Sequence, residues 1–211
     1  MPACTRDKST TEKGEKVSDL TLRINGKEVR AEKGMTILEA ARSAGIYIPV
    51  LCYDRRLTRY GACRLCMVEM IKGGRSRLVA SCVYNVEDGL EVLTDSPRVI
   101  KFRKALLELM LANAPEVKAI QGYAKRYGVS KTRFEVESPN LCILCGRCVR
   151  YCAKVKKANA IGFVGRGTKR EVKFLLDIAT EECPSCKECF SLCPTRLLPS
   201  IYESQVELKN E

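Results

Sequence analysis

Cysteines recur twice in this chain with one spacing. Cys142, Cys145, Cys148 and Cys152 read C-x2-C-x2-C-x3-C, and Cys183, Cys186, Cys189 and Cys193 repeat it, with Pro194 following. Three thiols two residues apart can wrap three corners of a cubane from one loop. The fourth falls on the next helical turn and points away, toward a second cluster. One [4Fe-4S] cluster is therefore expected on Cys142, Cys145, Cys148 and Cys193. The other is expected on Cys152, Cys183, Cys186 and Cys189. This is the spacing of bacterial two-cluster ferredoxins.

Thirteen cysteines also admit disulfides or zinc. A disulfide framework needs an oxidising compartment. The opening residues, MPACTRDKSTTEKGEKVS, hold no apolar core for a signal peptide. No run of about 18 apolar residues is present for a membrane span. A reducing cytoplasmic location is expected, with the thiols as metal ligands. Zinc modules pair two C-x2-C units or add His. This chain has no His and packs four cysteines into each eleven-residue run, which suits a cubane better.

A third set is Cys52, Cys63, Cys66 and Cys82, spaced C-x10-C-x2-C-x15-C. It departs from the plant-type C-x4-C-x2-C spacing, but the logic is similar: a long loop supplies three thiolates and a distant strand the fourth. A [2Fe-2S] cluster is the expected occupant. Cys4 is left over, an incidental free thiol in a polar segment.

The intervening elements fit an α+β chain. Residues 1–17 read as a flexible tail. Leu20–Ile24 and Lys27–Glu32 alternate as strands around Asn25-Gly26, a type I′ hairpin signal. Thr36 and Glu39 form a capping box that opens a short helix, which Gly45 ends. Strands are expected at Met67–Ile71, at Leu78–Tyr84 with Cys82 on it, and at Leu90–Leu93. Hairpin then helix is how a β-grasp domain begins. Ser96-Pro97 starts a helix with an apolar stripe of Val99, Phe102, Leu106, Leu109 and Met110. Pro115 ends it, and a second helix runs to Tyr127 with Val117, Ile120, Tyr123 and Tyr127 on one face. Ala160–Val164 and Glu171–Leu175 form a hairpin between the last two cysteine runs. Residues from Tyr202 on read as a polar arm or partner contact. The expected domains are an N-terminal β-grasp [2Fe-2S] ferredoxin-like domain at 18–95, a helical linker at 96–135 and a C-terminal bacterial-type 2[4Fe-4S] ferredoxin domain at 136–211.

The formal charge of +12 counts the thiols as neutral. Three clusters at about −2 each leave roughly +6. A basic surface can serve an acidic partner or nucleic acid, but no aromatic-and-basic face for nucleic acid is present, and no nucleic acid is expected as partner. A basic zinc protein binding nucleic acid is the distant alternative. No G-x-G-x-x-G follows a strand, and no G-x-x-x-x-G-K-[ST] is present. The chain is therefore expected to carry one-electron centres and no catalytic residues of its own. Arg64, Arg147, Arg150, Lys154 and Lys187 lie near the ligands in sequence; each can raise a cluster potential or be plain solvated surface.

Three stretches carry a family resemblance: Ile48-Pro49-Val50-Leu51-Cys52-Tyr53, Gly61-Ala62-Cys63-Arg64-Leu65-Cys66-Met67-Val68-Glu69 and Ala80-Ser81-Cys82. They resemble the N-terminal part of the large iron–sulfur subunit of respiratory complex I. The same module occurs in the small diaphorase subunit of NAD-linked [NiFe] hydrogenases, and in electron-bifurcating hydrogenases and formate dehydrogenases. Asp88-Gly89, Thr94, Ser96, Ala160-Ile161-Gly162-Phe163 and Arg166-Gly167 fit as well, so the match covers about residues 18–200. The resemblance implies one [2Fe-2S] cluster on the first four ligand cysteines and two [4Fe-4S] clusters on the last eight. It implies partners too: a flavin/NAD(P)-binding subunit on one side and a hydrogenase or other catalytic subunit on the other. Family members often hold a third cubane on one His and three Cys. With no His, and no Cys from Val83 to Leu141, that cluster cannot form here as it does there. The linking helices are then expected to be scaffold.

Overall fold

The computed structural model describes residues 19–136 and 141–210. Cys4 and the segment 1–17 lie outside the described residues.

Strands β1 (Asp19–Ile24) and β2 (Lys27–Glu32) pair antiparallel, with Ile24 opposite Lys27. Only Asn25 and Gly26 remain to turn the chain, and both have positive φ, 51° and 80°. That is the type I′ geometry which matches strand twist. Alternation sends Leu22, Ile24, Val29 and Ala31 inward. Helix α1 (Ile37–Ser43) starts at Thr36, whose hydroxyl accepts from the Glu39 N–H while Glu39 Oε2 accepts from the Thr36 N–H at 2.8 Å. Its Ile37, Leu38, Ala40 and Ala41 are buried against the sheet. Strands β3 (Met67–Lys72), β4 (Arg75–Ala80) and β5 (Glu91–Leu93) complete a sheet of order β2-β1-β5-β3-β4. β5 lies parallel to β1 and antiparallel to β3, so it joins the two hairpins. This is the expected β-grasp.

The strand expected to carry Cys82 stops short of it. The Ser81 N–H still follows the β3–β4 register onto the Cys66 carbonyl at 3.2 Å, joined there by the Ser81 hydroxyl at 2.8 Å, but β4 itself ends at Ala80. Val83 and Tyr84 N–H close a turn on the Ala80 carbonyl. Cys82 therefore sits in that turn.

Helix α2 (Pro97–Asn113) is capped by Ser96, with proline first, as expected. Its buried stripe is different. Val99, Arg103, Leu107 and Met110 face inward, Phe102 and Leu106 are half-buried, and Leu109 is 50% exposed. Counting apolar residues alone skipped Arg103, the centre of the true stripe. Helix α3 (Lys118–Arg126) packs back on α2 through Ile120 and Ala124.

After residue 140 the chain forms α4 (Arg147–Tyr151), a π-helical turn (Cys152–Lys156), the hairpin β6 (Ile161–Val164) and β7 (Glu171–Phe174), then α5 (Leu176–Cys186), α6 (Glu188–Leu192) and α7 (Leu198–Asn210). The expected polar arm from Tyr202 is instead the continuation of α7. The Tyr202 ring stands 5.2 Å from Phe174 and 5.9 Å from Phe190, and Gln205 Oε1 accepts from the Phe174 N–H at 2.9 Å. An aromatic anchor inside the polar segment accounts for the difference.

The N-terminal cysteine loop and the C-terminal half meet through arginines of α4. Arg150 donates to the carbonyls of Cys52 and Thr58, both at 2.8 Å, and lies 4.7 Å over the Tyr60 ring. Arg147 donates to Asp54 at 3.2 Å. Arg56, also on Asp54, holds that carboxyl well below the usual carboxylate range. Gly146 has φ 65°, and a Cβ there would stand 3.2 Å from Phe163 and 3.3 Å from Tyr60. Hydrogen bonds from a charged donor contribute about 1.5–3 kcal/mol each when the acceptors have no other partner. Arg150→Ala, which removes two such bonds, is expected to lower stability by about 3 kcal/mol, read as a lower urea midpoint on cluster-containing protein. An unchanged midpoint would show that the α4 contact does not hold the two parts together.

Candidate metal centres

Cys52, Cys63, Cys66 and Cys82 come together at one edge of the β-grasp sheet, all buried. The Cys66 and Cys82 sulfurs stand 3.3 Å apart, and the Cys63 N–H points at the Cys52 sulfur at 3.5 Å. Further backbone donors reach the same sulfurs, from Ala62 onto Cys52 and from Leu65 and Leu51 onto Cys63. Arg64, at φ 57°, reverses the loop between Cys63 and Cys66. Successive N–H groups in such a turn form a concave anion site. Hydrogen bonds from Cys63 hold the Cys52 thiol down to about 2, and the same contact, with burial, pushes Cys63 up. A hydrogen bond from Cys82 brings Cys66 down to about 7.

The C-terminal thiols fall into two crossed groups. Cys142, Cys145, Cys148 and Cys193 line one small cavity of about 20 Å³, with Ile143, Val172 and Leu198 among its walls. Cys152, Cys183, Cys186 and Cys189 line another of about 50 Å³, with Ala160, Ile161 and Phe174. Cys152 and Cys193 thus each stand with the three thiols of the other run. The crossing follows from local chain direction: Cys148 is in α4, whereas Cys152 opens the π-helical turn and accepts from the Ala160 N–H at 3.2 Å. The two runs are not built alike. Leu141, Leu144 and Gly146 alternate into left-handed conformation around Cys142 and Cys145, whereas Cys183 and Cys186 occupy the last turn of α5, which Lys187 ends at φ 48°. Burial pushes Cys145 up to about 11, Cys183 to about 11 and Cys189 to about 12. Among the described residues, no group of three or more His, Cys, Asp or Glu is drawn together closely enough for a single ion.

Cys52 and Cys63 of the first thiol group and Cys145 of the second lie in one apolar cluster, with Leu51, Leu65 and Leu107. The linker contributes Leu107 and Met110 there, and Asn113 donates to the Cys142 carbonyl at 3.0 Å. Around the outer group, the Tyr151 hydroxyl and Lys156 both donate to Glu188, at 2.6 Å each.

Of the basic residues near ligands in sequence, Arg147 and Arg150 have contacts within the protein, while Arg64, Lys154 and Lys187 are exposed. The residue that proximity in sequence missed is Arg103. It is fully buried, with Nε on the Leu65 carbonyl at 3.1 Å and Nη2 on the Met67 carbonyl at 2.8 Å, either side of Cys66. The only signal for it in sequence is a charge four residues after Val99 and four before Leu107.

Two family models match the chain: a 2Fe-2S iron-sulfur cluster binding domain at residues 18–97 and a 4Fe-4S dicluster domain at residues 141–197. NADPH-Fe(3+) oxidoreductase subunit alpha of Geobacter sulfurreducens is 35% identical over 86% of this chain and 24% of its own. NADP-reducing hydrogenase subunit HndD of Solidesulfovibrio fructosivorans is 31% identical over 86% of this chain and 36% of its own. NADH-ubiquinone oxidoreductase 75 kDa subunit of Reclinomonas americana is 34% identical over 84% of this chain and 29% of its own. The chain thus spans about a quarter to a third of the length of these curated relatives. In the crystal structure of an NAD+-reducing [NiFe]-hydrogenase in the H2-reduced state, a chain with 29% identity superposes with a TM-score of 0.67, over 74% of this chain and 75% of that one. With a 2Fe-2S binding domain followed by a 4Fe-4S dicluster domain, this chain belongs to the iron–sulfur family that includes the iron–sulfur subunits of NAD-linked hydrogenases and the N-terminal part of the complex I large iron–sulfur subunit.

Proposed function

We propose that the chain relays single electrons between a flavin subunit that reacts with NAD(P)H and a second redox site, a [NiFe] hydrogenase. The same role in a formate dehydrogenase or other bifurcating complex is the alternative. The reading uses one [2Fe-2S] cluster on Cys52, Cys63, Cys66 and Cys82, and two [4Fe-4S] clusters, on Cys142, Cys145, Cys148 and Cys193, and on Cys152, Cys183, Cys186 and Cys189. It takes residues 18–95, 96–135 and 136–211 as the cluster, linker and dicluster domains, and places the protein in the cytoplasm. Among the described residues, no helix is long and apolar enough to cross a membrane.

The observation that carries this reading is the grouping of the thiols: two crossed sets of four around separate cavities, with Cys145 of one set in a common apolar cluster with Cys52 and Cys63. The donors fit the group. Thiols pushed up by apolar surroundings ionise when a metal supplies the missing positive charge. Clusters bound here supply one-electron redox chemistry over a range of roughly −700 to +450 mV. The chain's residues supply the rest. The thiolates ligate iron, the apolar walls keep water out, and N–H donors such as Ala160 and Cys63 stabilise charge on sulfur. The hydrogenase partner is supported by the similarity to the NAD+-reducing [NiFe]-hydrogenase chain.

Anaerobically prepared protein is expected to hold about ten iron atoms per chain with matching acid-labile sulfide. Stoichiometric zinc with two or fewer iron atoms would overturn the reading. Cys193→Ser should perturb the EPR signal of the cubane held by Cys142, Cys145 and Cys148. Loss confined to the cubane on Cys183, Cys186 and Cys189 would refute the crossed ligation. The raised thiols also set a pH dependence for cluster-free, reduced protein. Their folded values, about 11 and 12 for Cys145, Cys183 and Cys189, lie above the ordinary thiol value of 9.0. Their contribution to stability is then complete below pH 9 and is lost as pH rises toward 11–12. Thermal unfolding after chelation should fall across that window; a rise would show the opposite sign.

A further inference from the structure

We infer that Arg103 is a positioning residue for the Cys63–Cys66 loop and that its buried charge raises the reduction potential of the cluster held there. The inference rests on the proposed [2Fe-2S] reading of that site.

From α2, Arg103 reaches the backbone on both sides of Cys66. Three successive carbonyls, of Leu65, Cys66 and Met67, all accept from outside their own loop: the outer two from Arg103, the middle one from Ser81 next to Cys82. The loop is thereby fixed at every peptide around Cys66. With its carbonyls so held, the loop turns N–H groups onto the thiols, Leu65 onto Cys63 among them. No solvent reaches the guanidinium, which is 0% exposed. Its third and fourth hydrogen bonds go to Asp95 Oδ1 and the Tyr127 hydroxyl, each at 2.8 Å.

The charge balance around it is lopsided. Asp95 is the one carboxylate paired with Arg103 among the described residues, and its side chain is 54% exposed, so water screens it far more than it screens the guanidinium. A net positive field remains on the buried side, where Cys66 lies. Adding one electron to the site forms and breaks no bond, so the field acts directly on the reduced state. The linker helix is then more than scaffold: it carries the group that sets the site's affinity for an electron.

The test is a mediated dithionite titration of the full chain, prepared with its clusters, following the [2Fe-2S] EPR signal alongside iron content. Arg103→Gln keeps two donors and removes the charge. It is expected to disfavour reduction about tenfold, about 59 mV for one electron. Arg103→Lys keeps the charge and should stay near the parent potential while binding the cluster less firmly. Asp95→Asn removes the screened counter-charge and should shift the potential upward. Exposed Arg64→Gln, next to a ligand, should shift it less than Arg103→Gln does. A fully loaded Arg103→Gln protein with the parent potential would overturn the inference and leave Arg103 structural only. Should that variant fail to load, Asp95→Asn decides, and an unmoved potential there overturns it. Absence of any [2Fe-2S] signal from the unsubstituted protein would instead sink the assignment of the site.

Discussion

The apolar cluster that holds Cys52, Cys63 and Cys145 together governs the arrangement of everything else. Leu51, Leu65 and Leu107, side chains from a ligand loop and from α2, fill the space around these thiols. The cysteine loop of the N-terminal half, the linker and the start of the dicluster half each bury part of their own surface in this one cluster. None of the three can shift without opening it.

Polar contacts around that cluster give it register. Packing of leucines is non-directional, whereas Arg150 on the Cys52 and Thr58 carbonyls, and Arg147 with Arg56 on Asp54, admit few relative placements. Gly146 lets the loop approach Tyr60 and Phe163 closely. Arginine suits this work because its planar fork bonds two acceptors at once. Arg103 repeats the device from the linker helix to the first domain, bridging two carbonyls and a carboxylate.

Much of this was legible beforehand. The Asn25-Gly26 turn, the Thr36–Glu39 capping box, the Ser96-Pro97 helix start and the hairpin near 161–174 are local chemistry, and each occurs as expected. Three expectations failed, the last two where a distant partner decided the outcome. The chain turns on the Ala80 carbonyl, so β4 ends before Cys82. Tyr202 finds Phe174 and Phe190, so an apparently polar arm is a docked helix. Arg103 replaces a hydrophobe in the α2 stripe because carbonyls of a loop nearly forty residues away need donors.

What the sequence determined alone was the inventory and its local spacing. Twelve cysteines in three sets, no histidine, and turn and cap residues at defined offsets follow from short-range stereochemistry, which a linear chain displays. Tertiary structure decided which groups become neighbours. It placed Cys193 beside Cys142 and Cys152 beside Cys183, set Cys145 in one apolar cluster with Cys52 and Cys63, and put a buried guanidinium behind Cys66. Such contacts join residues tens of positions apart, and they exist only because folding removes those groups from water together, where an unpaired carbonyl or charge is costly enough to dictate its partner.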